Sequence, residues 1–189
     1  MNRLLRKYVV ALAALFLLLA GQGEGARAQQ FALRSNALTD VLLTPDFGVE
    51  VVAGENMSVA LSVAGNWKPY GMDCRLVGVQ PQWRYWFGGR PLVREYVGVS
   101  ALFCAYDLSW KDTSYAGLAG GVGITGGYVL PLSPRWGVEF SGGVSLLGFG
   151  QKRGSRYDNY EDLSSDEYNS RGYKLLPTNI GVTFIFIIK

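Results

Sequence analysis

Histidine is absent from the 189-residue chain. That excludes Ser-His and Cys-His nucleophilic catalysis and the commonest imidazole metal sites. Cysteine is scarce, with only Cys74 and Cys104. Beyond the first thirty residues no apolar run approaches the length of a membrane helix, and almost no segment shows helical periodicity. An excess of charge is missing too. The formal charge is +3, but residues 1–28 hold four cations (Arg3, Arg6, Lys7, Arg27) and one anion (Glu24), so the remainder carries fourteen charges of each sign. A neutral chain lacks the basic stripe that nucleic acid requires, and no nucleic-acid partner is expected.

What is present begins with a basic start, an apolar run over 8–20 and Ala26-Arg27-Ala28. This pattern predicts a secretory signal peptide over 1–28, followed by one domain over 29–189. The apolar run is too short to favour an uncleaved membrane anchor, and no cysteine follows the cleavage site to take a lipid.

After Gln29, period-two alternation recurs between turn signals. Strands are expected over 31–43, 47–53, 57–67, 74–87, 92–107, 115–130, 136–148 and 173–189. The links at 54–56, 88–91 and 131–135 are tight. Those at 68–73, 108–114 and 149–172 are longer and polar, and the longest loop is placed at about 150–172. Tight turns at one rim and long loops at the other predict a small antiparallel up-and-down transmembrane β-barrel of about eight strands, with both termini periplasmic.

The two faces of each strand differ consistently. Val59, Leu61, Val63 and Trp67 oppose Ser58, Ser62 and Asn66; Trp136, Val138, Phe140, Val144 and Leu146 oppose Gly137, Glu139, Ser141, Gly143 and Ser145. In the last strand Leu176, Ile180, Val182, Phe184, Phe186 and Ile188 oppose Asn179, Gly181 and Thr183. The polar face is too small to fill a soluble core, so the apolar face is expected to meet lipid. Ring residues support two interfacial belts: Tyr85, Phe87, Tyr128, Trp136 and Phe186 near the tight turns, and Phe47, Trp67, Phe103 and Phe149 near the long loops. A β-sandwich with an aromatic core is the competing reading.

GVGITG, Gly121 to Gly126, fits a dinucleotide-binding pattern by letter, but no helix follows it. Gly117, Gly121, Gly123 and Gly127 are expected to face inward and leave room for larger side chains. The inward charges are Arg34, Asp40, Glu50, Arg84 and Glu139, with Arg94 and Asp107 nearer strand ends. Buried charges must pair. A lumen network of Arg34 and Arg84 with Glu50 and Glu139 is therefore expected, assisted by Gln80, Gln82 and Asn36. Acid–base catalysis by the carboxylates would need a substrate cleft that a filled lumen does not offer. No catalytic, cofactor-binding or metal-binding residue is assigned, and no cofactor is expected. Pairing about a hairpin centre at position 89 sets Cys74 opposite Cys104, and an exported chain can close that disulfide. A register error of one or two residues would leave two thiols. Pro81 lacks a ladder donor, so a bulge or bend is expected there. In the loop, Tyr157, Asp158, Tyr160, Glu161, Asp162 and Tyr168 form a candidate extracellular interaction surface, and its carboxylates lack the glycine of an EF-hand turn.

The segments LRSNALTDVLLTPDFGVEV, GNWKPY, VQPQWRYWFGG, YVGVSALFCAYDL, GGYVLPLSPRWGVEFSGGV and PTNIGVTFIF cover nearly all of the expected mature chain in order. Together they resemble a family of outer-membrane barrels from Bacteroidota catalogued only as a domain of unknown function (DUF3575-like). Members often carry Gln-Pro-Glu-x-Arg-Tyr-Trp; here Gln82 stands in place of the Glu. The resemblance implies a Gram-negative outer-membrane location, in some members beside fimbria or surface-adhesin genes, and implies no reaction. The sequence thus predicts a structural or interaction protein, not an enzyme. It would sit in outer-membrane lipid and lipopolysaccharide, with its loops available to a surface protein partner. A membrane-embedded lipid-modifying enzyme and a soluble lipocalin-like carrier are the alternatives.

Overall fold

A computed structural model describes residues 30–110, 113–155 and 170–188. The expected signal segment and the Tyr- and Asp-rich stretch from Tyr157 to Tyr168 lie outside these residues. Eight antiparallel strands run in chain order: β1 (Phe31–Asn36), β2 (Asp46–Val52), β3 (Met57–Trp67), β4 (Cys74–Trp86), β5 (Arg94–Trp110), β6 (Thr113–Pro131), β7 (Trp136–Ser155) and β8 (Ser170–Ile188). Each pairs with the next, and β1 pairs with β8, so the up-and-down sheet closes on itself as a barrel. Closure satisfies the backbone groups over the stretches where neighbouring strands pair.

The alternation expected from sequence decides the two sides. Ala32, Ser58, Ala60, Gln82, Arg84, Trp86, Tyr96, Glu139 and Ile185 are buried in the lumen. Their neighbours Trp83, Tyr85, Val97, Phe140 and Phe184 are exposed outside. At the tight-turn end Ala32, Trp86, Leu92, Tyr96, Val129 and Ile185 form an apolar plug.

Several expectations are corrected. Strand β1 ends at Asn36, and a short helix, α1 (Ala37–Val41), follows. The Asn36 side chain accepts from Leu38 N at 3.1 Å, capping the helix. Asp40 therefore stands outside the lumen ladder, where its carboxylate accepts from Ser35 Oγ at 2.8 Å and from Asp46 N at 3.2 Å. The 108–114 link is not a long loop, because β5 and β6 pair up to Trp110 and Thr113. Strand also extends through Ser155 and resumes at Ser170, shortening the expected 150–172 loop.

Register corrects more. Trp86 pairs with Tyr96 and Gly78 with Cys104, which centres the β4–β5 hairpin on position 91. Cys74 faces Leu108 instead, and both thiols are free. The cause lies in the turn: Leu92 has φ 67° and tucks into the apolar plug, lengthening the link. Pro81 makes no bulge. It pairs with Leu61, while the β5 ladder lapses at Gln80 and Pro81 and resumes at Gln82–Ser100 in unchanged register.

The bulge is elsewhere. Ser141 pairs with Gly181 but Gly143 with Thr178, so β8 carries one additional residue, and Asn179 there has φ 60°. Above it the parity of β8 reverses, and Leu176 joins Ser145 on the lumenal side. Phe149 shares the lumenal side with Leu147, and the Lys174 ammonium lies 5.5 Å from its ring centroid. Asp107 sits opposite Arg75 on the outer side, and Arg94 is exposed at the tight-turn rim.

The wall is uneven. Strands β5 to β8 are 17 to 20 residues long, whereas β1 and β2 have 6 and 7. Strand β1 meets β8 only from Thr183 to Ile188.

Candidate functional site

The lumen is the chemically richest part of the barrel. Alternation brings Arg34 from β1, Glu50 from β2, Arg84 from β4 and Glu139 from β7 to one level. All four are essentially buried, and two positive charges balance two negative ones. Arg84 Nη1 lies 2.9 Å from Glu139 Oε2 and 3.2 Å from Glu50 Oε2. Arg34 Nη2 donates to Glu139 Oε1 at 2.6 Å, and Arg34 Nε stands 3.4 Å from Glu50 Oε2 without hydrogen-bond geometry. The four charges expected from sequence therefore do meet.

Neutral side chains complete the shell. Glu139 Oε1 also accepts from Tyr96 OH at 2.7 Å, and the Arg84 guanidinium lies 4.4 Å from the Tyr96 ring centroid. Glu50 Oε1 accepts from Ser58 Oγ at 2.5 Å, and Ser58 Oγ accepts from Trp86 Nε1 at 2.8 Å. Gln82 Oε1 accepts from Arg84 Nε and Nη2 at 3.0 and 2.6 Å. Its Nε2 donates to Asn179 Oδ1 at 2.8 Å, and Asn179 Nδ2 donates to Thr125 Oγ1 at 2.8 Å. One continuous network thus takes a side chain from every strand, β1 through β8. Low dielectric strengthens each bond and makes an unpaired member costly, so the network is stable only as a whole.

Of the expected helpers, Gln82 takes part. Asn36 instead caps α1 and donates to Ile180 O at 3.4 Å, and Gln80 Nε2 is buried with no partner among the described residues. Ser58, Trp86, Tyr96 and Thr125 were legible only as inward positions. Asn179 reaches the network because the bulge turns it inward, which alternation does not encode. The amide at position 82 accepts from Arg84 and donates to Asn179.

The inward glycines of β6 have a sharper role than leaving space. A Cβ on Gly121 would meet Leu146 O of β7 at 2.0 Å, and one on Gly123 would meet Val144 O at 2.4 Å. They let β6 and β7 turn tightly against each other. Gly127 does leave space, since a Cβ there would stand 2.8 Å from the Tyr96 hydroxyl.

The outside is apolar over most of its height. Phe47, Val63, Val77, Trp83, Tyr85, Val99, Phe103, Val122, Ile124, Phe140, Val144 and Phe184 are all exposed. Trp136 and Phe186 pack with ring centroids 4.8 Å apart at the tight-turn rim. Among the described residues no helix is long and apolar enough to cross a membrane, and no cluster of three or more potential metal ligands occurs.

No curated protein matches the chain. A family model described as a protein of unknown function (DUF3575) matches residues 12–188, and the chain belongs to that family.

Proposed function

We propose that the chain is an integral outer-membrane β-barrel whose role is structural and interactive. It anchors a rim of loops at the cell surface, beside or within a surface-appendage system. One observation carries this reading: a closed sheet with a charged, hydrogen-bonded interior and large apolar side chains exposed around its exterior. Soluble proteins rarely expose contiguous apolar patches beyond a few hundred Å². Lipid removes that cost, and closed barrels are one of the two architectures that satisfy all backbone groups in a bilayer.

The lumen supports a passive role. The carboxylates of Glu50 and Glu139 are buried and already engaged, so a substrate has no approach to them. A lipocalin-like carrier needs an apolar interior, which the Arg84 network occupies. The tight-turn rim with both ends of the described chain is assigned to the periplasm, and α1 with the opposite rim to the outside.

Cell fractionation and gel mobility test the proposal. The expected protein is found in outer-membrane fractions and migrates differently before and after boiling in detergent. A membrane-confined probe should label Leu61→Cys and Val182→Cys in a cysteine-free background. Recovery wholly in the soluble periplasm would overturn it.

A further inference from the structure

We propose that the lumen on the long-loop side of the charge network is a binding chamber for one neutral single-chain amphiphile, an alkyl chain that ends in a hydroxyl or ester oxygen. The two halves of the lumen are built differently. Toward the tight turns, Ala32, Trp86 and Ile185 are fully buried, and the charge network closes the interior above them. Beyond Gln82 and Ser100 the inward positions become apolar. Register puts Leu76, Leu102 and Cys104 on the lumenal side with that pair, and Leu147, Phe149 and Leu176 on the lumenal side with Ser145.

This upper wall is not packed against itself. Leu76, Leu102, Cys104 and Phe149 are only half-buried, and Leu176 is 43% exposed. The floor carries donors without acceptors. Ser100 is 4% exposed, and its hydroxyl has no hydrogen-bond partner among the described residues. Gln80 Nε2 is buried in the same condition. The two sit on adjacent strands, because Ser100 pairs with Gln82, the next lumenal residue to Gln80. Buried polar groups are nearly always satisfied, so an acceptor belongs at this floor. An apolar wall with a few placed polar groups is the usual make-up of a ligand site.

The floor also selects the head of the ligand. The charges of Arg34, Arg84, Glu50 and Glu139 cancel and are engaged with one another. An ionised head would therefore be buried there without a counter-charge. A hydroxyl or ester oxygen needs none, and it accepts from Ser100 Oγ and Gln80 Nε2. Water accepts too, but it leaves Leu76, Leu102 and Leu176 wet, whereas an alkyl chain covers them. Strand β5 runs eight residues on from Ser100 to Leu108. That is about 26 Å along its axis at about 3.3 Å per residue, and a twelve-carbon chain is shorter. The inference takes from the proposed function only that the barrel folds in a bilayer.

The test uses the full-length protein folded in phosphatidylcholine nanodiscs. The two native thiols report on the site. Cys104 lies in the chamber wall, and Cys74 faces Leu108 nearer the rim. Saturating dodecanol should slow alkylation of Cys104 by iodoacetamide roughly tenfold or more and leave Cys74 unchanged. Dodecane, which has the chain without the oxygen, and dodecanoate, which has an ionised head, should protect much less. Ser100→Ala should fold as the parent does and raise the dodecanol concentration needed by roughly three- to tenfold. Unchanged alkylation of Cys104, equal slowing of both thiols, or equal protection by dodecane or dodecanoate overturns the proposal. So does a Cys104 that is unreactive before dodecanol is added, or a folded Ser100→Ala variant that responds as the parent. Heat-dependent mobility is read separately on the same nanodiscs, so the two proposals fail separately.

Discussion

Asn179 on β8 accepts a 2.8 Å hydrogen bond from Gln82 on β4, 97 residues earlier in the chain. The bond crosses the lumen and depends on a backbone conformation, φ 60°, that few residues tolerate. Asparagine is one of those few. The bulge thus turns a local backbone choice into a link between opposite walls, and it joins Thr125 to the Arg84 cluster.

Two substitutions separate backbone from side chain at this point. Asn179→Gly keeps the left-handed conformation and loses both hydrogen bonds. It should destabilise the barrel by about 1–3 kcal/mol through the stranded Gln82 and Thr125 groups. Asn179→Ala should lose about 1 kcal/mol more, because alanine resists positive φ. Urea unfolding in lipid vesicles, followed by tryptophan fluorescence, gives the order. An alanine variant as stable as glycine would show that the bulge relaxes.

The hairpin register makes a prediction about thiols. The native chain should show the same unboiled and boiled mobility with and without reductant, since Cys74 faces Leu108. A Cβ built on Gly78 would lie 3.5 Å from Cys104 Cβ, within the range for a disulfide. Gly78→Cys should therefore close a bond to Cys104 under mild oxidation, and mass spectrometry of a digest should find that linked pair. A native Cys74–Cys104 link would show the hairpin is centred two positions earlier.

How far these features could be read from sequence depends on their range. Alternation is local, so the outward Trp83 and Tyr85 and inward Gln82, Arg84 and Trp86 follow directly from their order. Charge pairing is a strong constraint, so Arg34, Glu50, Arg84 and Glu139 could be matched before any geometry was known. Register is not local. It is set by how Leu92 folds into the apolar plug, a tertiary choice that shifted the partner of Cys104 by four residues. Asn36 was expected on a strand over 31–43 as a helper of the lumen charges; its side chain instead caps α1, a local competition that alternation does not encode. The Asn179 bulge left no local mark beyond an asparagine.

The charge network predicts non-additive energetics. Arg84→Met leaves Glu50 and Glu139 sharing Arg34 and should cost about 3–5 kcal/mol, the usual price of stranding a buried charge. Adding Glu50→Gln removes one carboxylate and restores charge balance while keeping an acceptor for Ser58. The double variant should be more stable than the sum of the singles by about 1–3 kcal/mol. Simple additivity in urea unfolding would show that Glu50 and Arg84 do not act as one unit.

Glycines on β6 and β7 should divide by direction. Gly121→Ala places a methyl against Leu146 O, a backbone atom that cannot step aside, and should sharply lower the folded yield. Gly142→Ala projects into open space with nothing within 4 Å and should fold normally. The folded fraction on unboiled gels reads both. Equal yields would mean that β6 and β7 are less tightly apposed.

The outer surface offers the sharpest separation between membrane and water. Ile124 is 64% exposed on β6 and flanked by Val99 and Val144 on adjacent strands. In a soluble barrel, Ile124→Arg would trade an exposed apolar group for a solvated charge. Surface changes of that kind stay within about 0.5 kcal/mol. In a bilayer the guanidinium must either lose hydration or drag water and headgroups inward, which costs about 2–4 kcal/mol near the midplane and little near the interfaces. The neighbouring position Thr125 points into the lumen and cannot report on solvent, so Ile124 isolates the outer medium. We expect Ile124→Arg to be destabilised by that larger amount in vesicles, and Tyr85→Arg, at the tight-turn belt, by much less. An unchanged Ile124→Arg midpoint would mean that this face meets water.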